Sequence, residues 1–198
     1  FTSDNCSVAS ATNNAPAIFP IGTTTVIWTV TDGSGNVTTA NQLVTVTDST
    51  NPTLTVPADL TINATSACYA FSVNLGTPIA ADNCSVASIT NNAPAIFQIG
   101  TTTVTWTVID ASGNTTTATQ QVTVVDAANP TIIAPAAITV SANSGCIATG
   151  VQLGTPITAD NCAIASVTNN APTNFPLGTT TVTWTVTDAS GNETTATQ

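Results

Sequence analysis

Residues 103–108 read Thr-Val-Thr-Trp-Thr-Val, alternating branched polar with large apolar side chains. A period of two puts each class on its own face of a pleated strand, so this run is predicted to be half buried, with Val104, Trp106 and Val108 turned inward. Asp110-Ala111-Ser112-Gly113-Asn114 follows as a turn whose glycine supplies a positive φ, and residues 117–125 read as the returning strand of a hairpin. Further strands are predicted at 53–56, 60–63, 69–75, 86–90 and 96–99. Nothing reads as a helix.

The same pattern returns every 78 residues. Asp4, Asp82 and Asp160 stand at this spacing, as do Cys6, Cys84 and Cys162; Trp28, Trp106 and Trp184; and the turns opening at Asp32, Asp110 and Asp188. Residues 82–120 and 160–198 match at 30 of 39 positions, which establishes tandem duplication. A unit of this length is a small domain rather than a solenoid repeat. With Asn51-Pro52 and Asn129-Pro130 as starts, residues 1–48 are the C-terminal part of a first repeat and 49–126 a complete one. Residues 127–198 are a third repeat lacking its last strand. No initiator Met, signal peptide or membrane span is present, so the frame reads as a window cut from a longer array. Short Thr- and Val-rich strands punctuated by Gly and Pro predict an all-β chain of tandem immunoglobulin-like sandwiches, beads on a string.

Composition narrows the function. The 198 residues contain no Lys, Arg or His and ten Asp or Glu, for a net charge of -10, while 42% are hydrophobic. Without basic side chains there is no footprint for phosphate, so nucleic acid and anionic membrane surfaces are excluded as expected partners. Most general bases, Schiff-base amines and oxyanion clamps are missing too, so no enzyme is expected. The apolar content and strict alternation argue for packed structure against disorder.

Asp82-Asn83-Cys84, the run from Phe97 to Val108 containing Gly100-Thr101-Thr102-Thr103-Val104-Thr105-Trp106, and the turn 110–114 resemble the HYR (hyalin repeat) module. Phe175-Pro176-Leu177-Gly178-Thr179-Thr180-Thr181-Val182 of the third repeat is closer still. The resemblance covers nearly the whole chain. It implies a fibronectin-III/HYR-type sandwich, an extracellular or cell-surface location, and a role in adhesion or in long surface proteins, bacterial tandem-repeat adhesins among them. The family often carries a Cys-Pro near the first strand and a Cys in the last; Val56-Pro57 and Ala118 stand there in this chain. Both members of that bridge are absent together, which leaves a second pair.

Cys68 and Cys84 recur as Cys146 and Cys162, each pair 16 residues apart. Intradomain disulfides Cys68–Cys84 and Cys146–Cys162 are the preferred pairing, worth roughly 3 kcal/mol each by loop entropy. A bridge between neighbouring domains, Cys68 to Cys162, is the alternative. Metal ligation by these thiols is disfavoured, since two thiolates without His give no closed zinc site.

Eight of the ten acids recur with the period, Asp59 and Glu193 being the exceptions. In an immunoglobulin-like sandwich the last strand ends at one pole and the preceding hairpin turn lies at the other, facing the previous domain. Asp48 is therefore expected near the Asp110 turn, and Asp126 near Asp188. With no cationic side chain to neutralise them, a hard cation is the natural partner. The expected interdomain Ca²⁺ sites are Asp48, Asp110 and Asp82, repeated as Asp126, Asp188 and Asp160, with Asn51, Asn129, Asn83 and Asn161 as secondary ligands. The plainer reading makes Asp-x-Ser-Gly-Asn a turn whose Asp caps backbone N–H groups, and Asp48 and Asp126 solvated linker residues.

The three tryptophans alternate with valines and so read as core rather than as sugar-stacking platforms. Asn-x-Thr or Asn-Cys-Ser sequons at Asn5, Asn36, Asn63, Asn83, Asn114 and Asn192 matter only in a glycosylating host. Sheet edges lack the lysines that usually protect them, which favours lateral or end-to-end self-association into a fibre. The leading expectation is a structural segment of an extracellular filament or adhesin stalk, whose partners are neighbouring repeats of the same chain. The runner-up is an adhesin module that itself binds a glycan or protein.

Overall fold

The computed structural model describes residues 3–5 and 7–198. Among these every regular element is a strand. In chain order they are β1 (Val8–Asn13), β2 (Gly22–Asp32), β3 (Val37–Val46), β4 (Thr53–Thr55), β5 (Leu60–Asn63), β6 (Tyr69–Phe71), β7 (Ile79–Ala81), β8 (Val86–Asn91) and β9 (Ile96–Gln98). They continue as β10 (Gly100–Asp110), β11 (Thr115–Val125), β12 (Thr131–Ile133), β13 (Ile147–Thr149), β14 (Ile157–Ala159), β15 (Ile164–Asn169), β16 (Asn174–Pro176), β17 (Thr183–Asp188) and β18 (Glu193–Thr197). The architecture is one of tandem β-sandwich domains. No helix among the described residues is long and apolar enough to cross a membrane.

Two compact units are present. The first takes in the described residues up to Leu54 together with Ala80–Ile89 and Thr107–Thr117. It holds the antiparallel sheet β1-β2-β3, whose long β2/β3 ladder runs from Gly22↔Val46 to Thr31↔Val37. The second takes in Thr55–Ile79, Thr90–Trp106 and Ala118–Gln198. It holds the antiparallel pairs β6-β9, β12-β14 and β13-β16 and the sheet β15-β17-β18. There too β5 lies parallel to β11, Leu60 opposite Val122 and Asn63 opposite Val125. A four-stranded sheet is ordered β5-β11-β10-β8.

The alternation read from the sequence becomes the core. Val104, Trp106, Val108, Val122 and Val124 are all buried, each such valine contributing about 1.5–3 kcal/mol relative to exposure. One polar residue lies among them. Gln120 is fully buried; its Oε1 accepts from the Trp106 indole N–H at 3.1 Å, and its Nε2 donates to the carbonyls of Ala58 at 2.7 Å and Leu75 at 3.1 Å. Gln198 repeats the arrangement with Trp184, Ala136 and Leu153. A buried amide is tolerated because its polar atoms are matched, and it satisfies two carbonyls that carry no ladder of their own.

Three local expectations change. The strand predicted over 69–75 stops at Phe71, because Ser72 takes a left-handed φ of 53°, which an extended strand cannot accommodate. Residues 138–141, the counterpart of β5, form no strand: β5 pairs with the second half of β11, and β18 ends at Thr197. Trp28 is 39% exposed whereas Trp106 and Trp184 are 5% and 6% exposed; residues 1–48 contain no counterpart of β4, β5 or β6.

Candidate metal centre

The Asp-x-Ser-Gly-Asn turns are closed by their own aspartates. Asp110 Oδ1 accepts from the backbone amides of Ser112 (2.9 Å) and Asn114 (2.8 Å), and Oδ2 from Asn114 Nδ2 (2.7 Å). Asp188 does the same with Ser190 and Asn192. Gly113 and Gly191, with φ of 93° and 91°, turn the chain where a β-carbon would be strained. Each turn then reaches the linker that precedes its repeat: Asn114 Nδ2 donates to Asp48 O at 3.3 Å, and Asn192 Nδ2 to Asp126 O at 3.1 Å. Asp110 and Asp188 are thus buried beside the linker, as the pole argument expects, with both carboxylate oxygens engaged in the turn.

Linker carboxylates meet a second acid instead. Ligand atoms of Asp48, Asp82 and Cys84 lie within 4.8 Å of one another, as do those of Asp126, Asp160 and Cys162. Local hydrogen bonds hold each carboxylate by one oxygen. Asp48 Oδ1 accepts from Thr50 N (3.0 Å) and Asn83 Nδ2 (3.2 Å); Asp126 Oδ1 accepts from Ala128 N and Asn161 Nδ2, both at 3.1 Å. Asp82 Oδ2 and Asp160 Oδ2 each accept from the backbone amide two residues on, Cys84 N and Cys162 N, at 2.8 Å. The opposite oxygens, Asp48 Oδ2, Asp82 Oδ1, Asp126 Oδ2 and Asp160 Oδ1, are buried without a partner, and so is Asn161 Oδ1. Asn51 and Asn129 are exposed on the linkers.

Hydrogen bonds from Thr50, Asn83 and neighbouring groups outweigh burial and hold the Asp48 carboxyl below the usual value. Desolvation, followed by the hydrogen bond with Asp48 and then the Asp48 charge, pushes the Cys84 thiol up. Neither site has a cationic side chain to neutralise its carboxylates, since the sequence contains none. Such an arrangement can hold a hard cation through oxygen, and the donor set fits Ca²⁺.

The disulfide differs from the preferred expectation. Cys68 is bonded to Cys162, their Cα atoms 4.7 Å apart and 94 residues separating them in sequence, while Cys84 and Cys146 are exposed free thiols. The pairings Cys68–Cys84 and Cys146–Cys162 are therefore corrected to one bridge between successive repeats. The reason is placement. Cys84 sits with Asp48 and Asp82 at one linker, whereas Cys68 lies on a turn, residues 65–69, that meets Asn161 and Cys162 at the next. Cys6 lies outside the described residues. Sequence reasoning missed the Thr65 carbonyl, which accepts from Asn161 Nδ2 at 3.5 Å, and it missed the Asn114 and Asn192 clamps; the 78-residue recurrence of those asparagines was the available signal.

The HYR domain model matches residues 47–124 and 125–197. The chain is 32% identical over 209 residues to hyalin of Strongylocentrotus purpuratus, covering 98% of this chain and 17% of the relative. It is 35% identical over 203 residues to hyalin of Lytechinus variegatus, covering 93% and 37%. The chain thus spans only a minor part of these relatives. Among solved structures, the extracellular cadherin domains 1–4 of protocadherin gamma B7 align with 99% of this chain and 64% of theirs, at 10% identity and a TM-score of 0.37. The human desmocollin-1 ectodomain aligns with 88% of this chain and 43% of its own length, at 13% identity and a TM-score of 0.30. With two consecutive matches over most of its length, the chain belongs to the HYR domain family.

Proposed function

We propose that this chain is a structural segment of an extracellular filament or adhesin stalk, in which Ca²⁺ held where one repeat passes into the next fixes the junction. Three repeats, 1–48, 49–126 and 127–198, are the units of that segment. One junction ion is held by Asp48 and Asp82, the next by Asp126 and Asp160 with Asn161. Asp110 and Asp188 act behind them, holding the linker through Asn114 and Asn192 and adding negative charge.

The observation that carries this reading is the set of four unpartnered buried carboxylate oxygens, two at each of two places 78 residues apart. A water molecule can donate hydrogen bonds to such a pair but leaves the two charges unneutralised; a divalent cation answers both. Few protein ligands point to weak binding, on the order of 10⁻⁴ to 10⁻³ M as in other extracellular modules. Neighbouring repeats are the first partners, and sheet edges without lysine favour lateral association. The expected extracellular setting also suits a disulfide.

Calorimetric titration of the chain with Ca²⁺, with thermal melts in Ca²⁺ and in chelator, tests the proposal. Binding and a rise in melting temperature are expected. An unchanged melt with no heat of binding sinks it.

A further inference from the structure

The second junction carries a bridge, Cys162 being bonded to Cys68, whereas Cys84 at the first is a free thiol. Asp126 is 7% exposed, and its Oδ2 faces the cluster unpartnered. Its counterpart Asp48 is half-buried. Asn161 and Cys162 are half-buried where Asn83 and Cys84 are exposed. Asn161 Oδ1 is buried without a partner at the second junction, whereas its counterpart Asn83 is exposed. What lies against Asn161 and Cys162 there is the turn of residues 65–69, tied by the Cys68–Cys162 bond and by the hydrogen bond from Asn161 Nδ2 to Thr65 O.

We infer that the Cys68–Cys162 disulfide is a latch on the Asp126–Asp160 cation site, so that this site binds Ca²⁺ more tightly than the Asp48–Asp82 site and loses that advantage when the bond is reduced. The inference rests on the proposed Ca²⁺ reading and adds its regulation. Three features make the coupling physical. The bridged turn shields the acids from water, which strengthens their attraction for a cation. It adds the Thr65 carbonyl to the partners that hold the Asn161 amide by its nitrogen, and Asn161 Oδ1 is left buried without a partner beside the acids. It is also ready before bonding: Cys68 has a left-handed φ of 64°, and the unbridged Cys146 has the same conformation at 67°. Cys68 N donates to Thr65 O, and Thr65 N and Oγ1 donate to Tyr69 O, which closes the turn locally.

Closing the latch removes one hydrogen atom from each thiol and forms the S–S bond. The two electrons and two protons pass to an oxidant of the disulfide class, which leaves as two thiols. Linkage then works both ways: a bond that favours the cation is favoured by the cation to the same degree.

Two single-site chains separate the junctions. Asp82→Asn leaves the bridged site as the principal one, and Asp160→Asn leaves the unbridged site. With the disulfide intact, Asp82→Asn should bind Ca²⁺ on the order of tenfold more tightly by calorimetry than Asp160→Asn. Dithiothreitol should remove that difference while leaving Asp160→Asn unchanged. Should reduction unfold either variant, the reverse measurement uses the unaltered chain. It is equilibrated in thiol–disulfide buffers, and its free thiols are counted by alkylation and mass spectrometry. Ca²⁺ should then move the Cys68–Cys162 midpoint to more reducing potential by about 30 mV for each tenfold of coupling. Binding that is equal at both sites and indifferent to reduction, or a midpoint that Ca²⁺ does not move, overturns the latch and spares the Ca²⁺ reading. No Ca²⁺ binding in any redox state overturns both.

Discussion

The Trp106 indole N–H donates to Gln120 Oε1 at 3.1 Å in the interior of the second repeat, where Gln120 has no exposed surface. Substituting Gln120→Ala leaves that N–H and the carbonyls of Ala58 and Leu75 without partners. Orphaned buried groups cost about 1–3 kcal/mol each, so a loss of about 3–5 kcal/mol in urea denaturation is expected. Gln42 makes the corresponding bond to Trp28 from an exposed position, and Gln42→Ala should cost about 1 kcal/mol or less. Equal losses at the two positions would contradict the role assigned to burial.

The turn that reaches the linker offers a second comparison. Gly113 has φ of 93° and open space around the position of an added β-carbon, so Gly113→Ala meets no clash and should cost only the backbone strain, about 1–2 kcal/mol. Asn192→Ala removes both the bond to Asp188 Oδ2 and the one to Asp126 O. It should therefore lower stability and, where Ca²⁺ binds, weaken the Asp126–Asp160 site as well. Gly113→Ala should leave that second site alone. Calorimetry on the two variants distinguishes a loosened turn from a loosened junction.

Strand period, hairpin and core face were legible because each follows from alternation within a few residues, as at 103–108. The acids were legible as recurring groups, but their assortment was not. Asp110 and Asp188 already bond the amides two and four residues on, whereas Asp82 and Asp160 bond only nearby amides and keep one oxygen buried without a partner. That choice depends on where loops meet in space, which a linear pattern does not encode. The disulfide was illegible for the same reason. A 16-residue spacing is the shorter path in sequence, yet the turn carrying Cys68 meets the linker of the following repeat. Gln120 looked like an ordinary polar residue on a strand until the indole of Trp106 gave it a partner.

The bridge makes unequal demands on the four described cysteines. Cys68→Ser should release Cys162 to alkylation and reduce stability by about 4–5 kcal/mol, the loop-entropy value for a closure of 94 residues. Cys84→Ser removes an exposed free thiol and should be near neutral. Non-reducing peptide mapping checks the pairing directly, with proteases that cut at acidic or aromatic residues, since trypsin has no site here. Recovery of a Cys68–Cys84 peptide in place of Cys68–Cys162 would return the pairing to the intradomain form.

Acid should unfold this chain, and the direction follows from three aspartates. The Asn36 side chain, with backbone amides, holds Asp32 below the ordinary value of 3.8. The Thr50 amide does so for Asp48. At Asp188 burial pushes the carboxyl up, but bonds from Asn192, Ser190 and Gly191 prevail and the net direction is down. A folded-state value below the unfolded one means that the fold prefers the ionised form. The stabilisation is therefore complete above the unfolded value and drains away as pH falls through the lowered folded values. Melting temperature in chelator should be level from about pH 7 to about pH 5 and drop below about pH 4. Asp188→Asn retains a carbonyl acceptor for the turn amides but carries no charge to lose, so its melt should fall less steeply over the same range. A wild-type melting temperature that climbs on acidification would show that repulsion among the ten acids outweighs the turn hydrogen bonds.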